Sequence, residues 1–140
     1  MDYSSRMSSD KITSLEKNEV FVFGSNKKGK HGKGAALTAK KKFGAKEGKA
    51  AGLQGRSYGI PTKVLPTRHK KDRMSLDEVQ WYVDKFIDFA KVNPDLTFLV
   101  TEIGCGLTRY HPNQVAPLFE EAILIDNIHL PLRFWEALDI

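Results

Sequence analysis

The sequence predicts an α/β sandwich with a largely parallel central sheet, and three observations carry that expectation. Residues 20–23 and 97–101 are continuous β-branched, aromatic or aliphatic runs, the pattern of strands buried on both faces. Each run ends in a glycine loop, Gly24-Ser25-Asn26 in the first case and Gly104-Cys105-Gly106 in the second. Each loop leads toward a segment whose apolar residues recur at helical spacing. At 140 residues the chain fits a single domain with one core.

Taken in order, residues 1–9 are polar and Ser-rich and are expected to form a flexible terminus, with the domain spanning residues 10–140. Val20, Phe21, Val22 and Phe23 form the first strand. After the Gly/Lys-rich loop, Ala35, Ala36, Ala39 and Phe43 make one helical face until Gly44 supplies a stop. Residues 57–61 are a short strand closed by Pro61, and a basic loop runs from there to Arg73. Ser75 and Glu78 form an S-x-x-E capping box, in which each side chain satisfies a free backbone N–H of the other. Val79, Tyr82, Val83, Phe86 and Ala90 then line one face of a helix that Asn93-Pro94 ends. Residues 97–101 are the second buried strand. A helix is expected over residues 113–124, with Pro117 tolerable only in a first turn, and residues 128–130 make a last short strand.

With 41% hydrophobic and 28% charged residues, and no apolar stretch near the ~20 residues that a membrane helix needs, the composition argues against a bilayer span and against wholesale disorder. The lone cysteine, Cys105, excludes an internal disulfide and suits a reducing, cytoplasmic location. The four histidines show no metal-ligand spacing, so no metal site is expected. A formal net charge of +5 suits an anionic partner, and its distribution is uneven. Lysines crowd residues 27–49, a second basic run holds Arg68, Lys70, Lys71 and Arg73, and the balance turns acidic after Asn113. Lysines commonly do no more than solvate exposed faces, but two basic runs at loop positions point to an anion-facing rim.

In open α/β sheets ligands sit beyond the carboxyl ends of the strands, where both glycine loops should meet. Gly24, Ser25, Asn26, Gly29, Gly32 and Gly34 offer unobstructed backbone N–H groups beside the positive end of the helix starting near Ala35. Gly104 through Thr108 offer the same in the second loop. Oriented amides and a helix N-terminus favour phosphate, and two facing loops suit a diphosphate. Either loop alone reads equally well as a tight turn, since neither matches G-x-x-x-x-G-K-[ST] or G-x-G-x-x-G.

The strings Phe23-Gly24-Ser25-Asn26, His31-Gly32-Lys33-Gly34-Ala35-Ala36, Ile60-Pro61-Thr62-Lys63 and Thr101-Glu102-Ile103-Gly104-Cys105-Gly106-Leu107 occur in that order. Together they resemble the macrodomain family, in particular its lysine-dependent ADP-ribosyl glycohydrolases and the small macrodomain-like proteins of bacteria and phages. The resemblance runs from about Asp10 to the C-terminus. It implies a three-layer α/β/α sandwich with a central mixed, largely parallel sheet, binding ADP-ribose or a related NAD-derived nucleotide at the strand ends without a cofactor. Asn26 would contact the distal ribose, with Gly24, Ser25, Gly32, Gly34 and Ala35 shaping the loop beside it. The backbone amides of Gly104, Cys105, Gly106 and Leu107, with Thr108 next to them, would wrap the diphosphate. Asp10 would meet the adenine. Lys63 falls on the position of the amine that attacks the anomeric carbon. Thr108 stands where some relatives carry a catalytic acid.

Lys63 also has a simpler reading, as a fixed cation that neutralises the diphosphate. Three functions follow from these residues. The first is hydrolysis of ADP-ribose from a modified protein or nucleic-acid acceptor, with Lys63 as nucleophile and Asn26 positioning the ribose. The second is capture of the nucleotide without turnover, which Thr108 favours, and the third is general nucleic-acid binding through the lysine-rich half.

Overall fold

Both faces of Glu19–Asn26 (β2) are apolar, and this makes it the centre of the molecule: Val20 and Val22 enter one core cluster while Phe21 and Phe23 enter another on the opposite side. The computed structural model describes residues 2–138; Met1, Asp139 and Ile140, which the terminal and domain expectations include, lie outside them. Around β2 lie Met7–Ser8 (β1), Gly52–Gln54 (β3), Ser57–Lys63 (β4), Thr97–Val100 (β5) and Ile128–Pro131 (β6), in the order β1-β6-β5-β2-β4-β3. All neighbours are parallel except β3 and β4. The helices are Gly34–Lys42 (α1), Leu76–Lys91 (α2), Pro112–Val115 (α3) and Leu132–Leu138 (α4).

The result is a three-layer α/β/α sandwich around a mixed, mostly parallel sheet. On one side α1 lays Ala36 and Ala39 on Phe21 and Phe23, with Phe43 closing the end. On the other, α2 buries Val79, Val83, Phe86, Ile87 and Ala90 against β2, β4 and β5, joined by Phe119, Phe134 and Trp135. The capping box that starts α2 is formed, with Glu78 N donating to Ser75 Oγ at 3.2 Å and Ser75 N to Glu78 Oε1 at 3.4 Å.

Three elements differ from expectation. The single helix expected over residues 113–124 is α3 followed by a 3-10 helix, Ala116–Leu124. Pro117 sits in the first turn of that second piece, where its missing N–H leaves no bond unmade. Strand β3 and helix α4 were not expected, being short and weakly patterned.

The N-terminal segment, expected to be flexible, is built into the sheet: residues Ser4–Arg6 form a 3-10 turn and β1 pairs with β6. Arg6 explains this, because its guanidinium donates to the carbonyls of Ala122 and Ile123 in the last turn of the 3-10 helix, of Ile125 just past it and of Ile128 at the start of β6. A forked cation thus gathers carbonyls of the last turn and of the turn that follows, beside the local bonds that Ile125 N makes to Ala122 O and Ile128 N to Ile125 O. Tyr3 stacks on Trp135 at 5.0 Å, Trp135 Nε1 donates to Arg6 O, and Ser8 Oγ donates to Val100 O.

Candidate functional site

Because β2, β4 and β5 are parallel, their carboxyl ends and the loops that follow share one edge of the sheet. A cleft of about 480 Å³ opens there. Gly24, Ser25, Asn26, Gly32, Gly34, Ala35, Lys63, Gly104, Gly106, Leu107 and Thr108 all line it, so the topology brings together nearly every residue expected at the site. Asp10 instead lines an adjoining pocket of about 310 Å³, which shares Ala35, Thr101 and Glu102 with the cleft and has Ile12, Phe21 and Pro131 in its wall. Lys30, Lys33, Thr62 and Pro66 also line the cleft and were given no role there from sequence; Lys33 and Thr62 stand directly beside residues that were.

The first loop is braced from within. Asn26 Nδ2 donates to Lys30 O at 2.9 Å, while Lys30 N donates to Asn26 Oδ1 at 3.1 Å. Both ends of the Asn26 amide are thus engaged in closing the loop, and its role here is to shape the cleft wall. Ser25 Oγ is likewise committed, to Ala50 O. His31 is fully buried, edge-on to Phe23, with Nε2 3.1 Å from Lys49 O and 3.2 Å from Gln54 Oε1. Past it, the amides of Gly32 and Lys33 and of the first turn of α1 have no acceptor among the described residues, and no side chain caps α1.

In the second loop Cys105 N donates to Glu102 O at 3.1 Å, Arg109 N to Gly106 O at 3.0 Å and Tyr110 N to Gly104 O at 2.8 Å. These turns leave the amides of Gly104, Gly106, Leu107 and Thr108 without an acceptor among the described residues. Cys105 departs from expectation: its amide is spent on the turn, and it is absent from the cleft lining. Burial, reinforced by the Glu102 charge, pushes its thiol up to about 12, which removes it as a nucleophile near neutral pH. Gly104 has φ +78°, and a Cβ there would stand 3.3 Å from Val115 Cγ2. Thr108 is buried and bonded at 2.6 Å to the hydroxyl of Thr62, fastening this loop to β4.

Lys63 is 7% exposed and donates from Nζ to Thr67 O at 2.9 Å. Desolvation, with the positive charges of Lys33 and Arg68 added, lowers its pKa below the ordinary lysine value. Glu102, the one acid lining the cleft among the described residues, is gripped by Arg133 of α4 through two bonds of 2.7 and 2.6 Å, which lower its pKa. Asp72 accepts from Thr67 Oγ1 and is turned to the loop. Among the described residues, no group of His, Cys, Asp and Glu side chains could hold a metal ion.

The sequence matches no family model and no curated protein. Among solved structures, the chain is similar to a protein of unknown function from Bacteroides thetaiotaomicron, with a TM-score of 0.61 and 16% identity over 84% of this chain and 88% of that one. The likeness shows the fold alone.

Chemically, the cleft offers two sets of unpaired amides, a helix N-terminus and a buried amine. Such a lining suits an anion with several oxygens.

Proposed function

We propose that the protein is a macrodomain-like ADP-ribose-binding protein, and that Lys63 is the amine that releases ADP-ribose from a modified acceptor. The observation that carries this reading is the convergence of the free amides of residues 32–36 and of Gly104, Gly106, Leu107 and Thr108 on one cleft that Lys63 also lines. A diphosphate between the loops bonds amides from both sides, and the adjoining pocket, with Phe21, Ile12 and Pro131 in its wall and Asp10 at its rim, suits a base bearing an exocyclic amine. Both volumes fall in the range of small-ligand sites.

In this reading the Lys63 nitrogen bonds to the anomeric carbon of the distal ribose as the bond to the acceptor breaks. The acceptor leaves with that electron pair and takes up a proton. The sugar ring opens to a Schiff base, which water hydrolyses to free ADP-ribose and the amine. Desolvation and the like charges of Lys33 and Arg68 favour the unprotonated amine that the attack needs.

One observation favours the second reading, capture without turnover: Glu102, the acid that lines the cleft among the described residues, is held by Arg133, and the Thr108 hydroxyl is bonded to Thr62. Calorimetry with ADP-ribose tests binding; borohydride reduction in the presence of ADP-ribose, read by mass spectrometry, tests for an adduct on Lys63. Binding with neither adduct nor release of acceptor selects capture, and absence of binding removes both readings.

A further inference from the structure

Among the described residues, Ala35, Thr101 and Glu102 line both the cleft and the adjoining pocket, and so form the wall along which the two spaces meet. A ligand that occupies both spaces passes over that wall. Its three residues differ in what they offer such a ligand. Ala35 has no polar side-chain atom, and Thr101 Oγ1 donates its proton to Val22 O at 2.8 Å. Glu102 supplies the charge of the wall. Asp10 and Lys11 line the pocket alone, side by side and opposite in sign.

The Glu102 carboxylate is oriented before any ligand arrives. Arg133 Nε donates to Oε2 at 2.7 Å and Nη2 to Oε1 at 2.6 Å, a forked pair that fixes the plane of the carboxylate. The same bonds lower its pKa, so the group is ionised at neutral pH. Each carboxylate oxygen has two lone pairs; Arg133 takes one from each and leaves one on each for another donor. The Glu102 side chain stays 31% exposed. Glu102 lines both spaces and Arg133 lines neither, so a ligand on the wall faces the anion and not its cationic partner.

We propose that Glu102 selects the sugar next to the base: it accepts hydrogen bonds from free ribose hydroxyls and rejects a nucleotide phosphorylated on the 2′ oxygen of that ribose. This rests on the ADP-ribose reading, in which the diphosphate lies in the cleft and the base in the pocket, so that the ribose joining them crosses the wall. A hydroxyl supplies the donor that an ionised carboxylate needs, the same chemistry by which a carboxylate in dinucleotide folds recognises an unphosphorylated ribose. A 2′-phosphate removes that donor and sets about 1.5–2 negative charges against a fixed anion. The ligand class so defined is the nucleotides derived from NAD, with those derived from NADP excluded.

Calorimetry with ADP-ribose and with ADP-ribose 2′-phosphate tests the selection. The parent should bind ADP-ribose at least about tenfold more tightly than the 2′-phosphate. Arg133→Gln strips the anion of its countercharge and should widen that ratio. Glu102→Gln combined with Arg133→Gln removes the anion without leaving a free guanidinium, and should bring the two ligands within about threefold of one another. Thermal melts of both variants check folding, and the ratio in the parent is a test that needs no variant. Equal or tighter binding of the 2′-phosphate by the parent would set Lys11 or Arg133 against the ribose in place of the carboxylate, and overturns the proposal. A double variant that keeps the parent's ratio overturns it as well. Either result, with ADP-ribose still bound, removes the selection and leaves the proposed function standing. A parent that binds neither ligand removes the proposed function, and the selection with it.

Discussion

Asn26 and Lys63 are register partners across β2 and β4, one rung beyond a register shift between Ser25 and Asn26. Lys27 N then donates to Lys63 O at 2.8 Å, so the ladder runs to the floor of the cleft before the strands part. The side chain that braces the first glycine loop and the buried amine are therefore fixed to one another by backbone, and small changes at Asn26 should be felt at Lys63.

Lys63→Ala should leave ADP-ribose affinity within a few-fold of the parent while abolishing release from an acceptor, because the loop amides act in the ground state and the amine acts in the transition state. Adduct trapping should rise with pH and level off below the ordinary lysine range. Removing a positive neighbour makes the protonated amine less unfavourable, so Lys33→Gln with Arg68→Gln should move that midpoint upward. Unchanged midpoints in the double variant would sink the assignment of those charges.

The same lowered pKa has a consequence for stability. Between the folded pKa of Lys63 and about 10.5, the unfolded chain binds a proton that the folded chain has lost, so stability gains with rising pH in that window. Lys63→Met should accordingly stabilise the protein most near neutrality and least above the ordinary lysine pKa, as urea midpoints across pH will report.

Gly104 and Gly106 should behave differently when replaced by valine. Gly104 occupies the left-handed region and its Cβ would press on Val115, so Gly104→Val should cost roughly 1–2 kcal/mol in backbone alone. A Cβ at Gly106 meets nothing within 4 Å and its φ is not left-handed. Gly106→Val should therefore melt like the parent yet bind ADP-ribose less well, since the added methyls stand beside the free amides. Equal melting of the two variants would refute this division.

Cys105 should be slow to react with iodoacetamide at pH 8, since a thiol pushed up to about 12 is almost wholly protonated there. Cys105→Ala should bind ADP-ribose as the parent does. Fast labelling of the folded protein would show that the thiol is not buried as described.

Arg6→Met should lower the urea midpoint by an amount equivalent to about 2–3 kcal/mol, because carbonyls that share a charged donor lose it together. A midpoint within experimental error of the parent would mean that water replaces the guanidinium at no cost.

What could be read in the sequence was what is decided locally. The Ser75–Glu78 capping box is settled within four residues, and the apolar runs at β2 and β5 need only the knowledge that both faces are covered. The two loops were legible because glycines crowd the chain soon after those strands, Gly29, Gly32 and Gly34 past β2 and Gly104 and Gly106 past β5. Other features depend on distant partners. Arg6 finds acceptors more than 110 residues away, which no window along the chain can foresee. The amide of Cys105 is consumed by a turn, and the Asn26 side chain by Lys30, through bonds that look identical in sequence to free groups. Glu102 was visible as an acid beside the second loop, but its tie to Arg133 belongs to a helix that short length and the absence of a capping residue had hidden.

The clasp made by Arg6 bears on how the protein assembles as it leaves the ribosome. Strand β1 emerges early, but its one sheet neighbour among the described residues is β6, and Arg6 contacts residues up to 122 positions later. Throughout synthesis of the intervening chain the first strand has nothing to pair with, while β2, β4, β5 and α2 already hold contacts of shorter range. Docking of residues 3–8 is thus expected as the closing event of folding, slow by the standard of the local elements and dependent on release of β6. Until it occurs, β6 presents an open parallel edge to any other nascent chain.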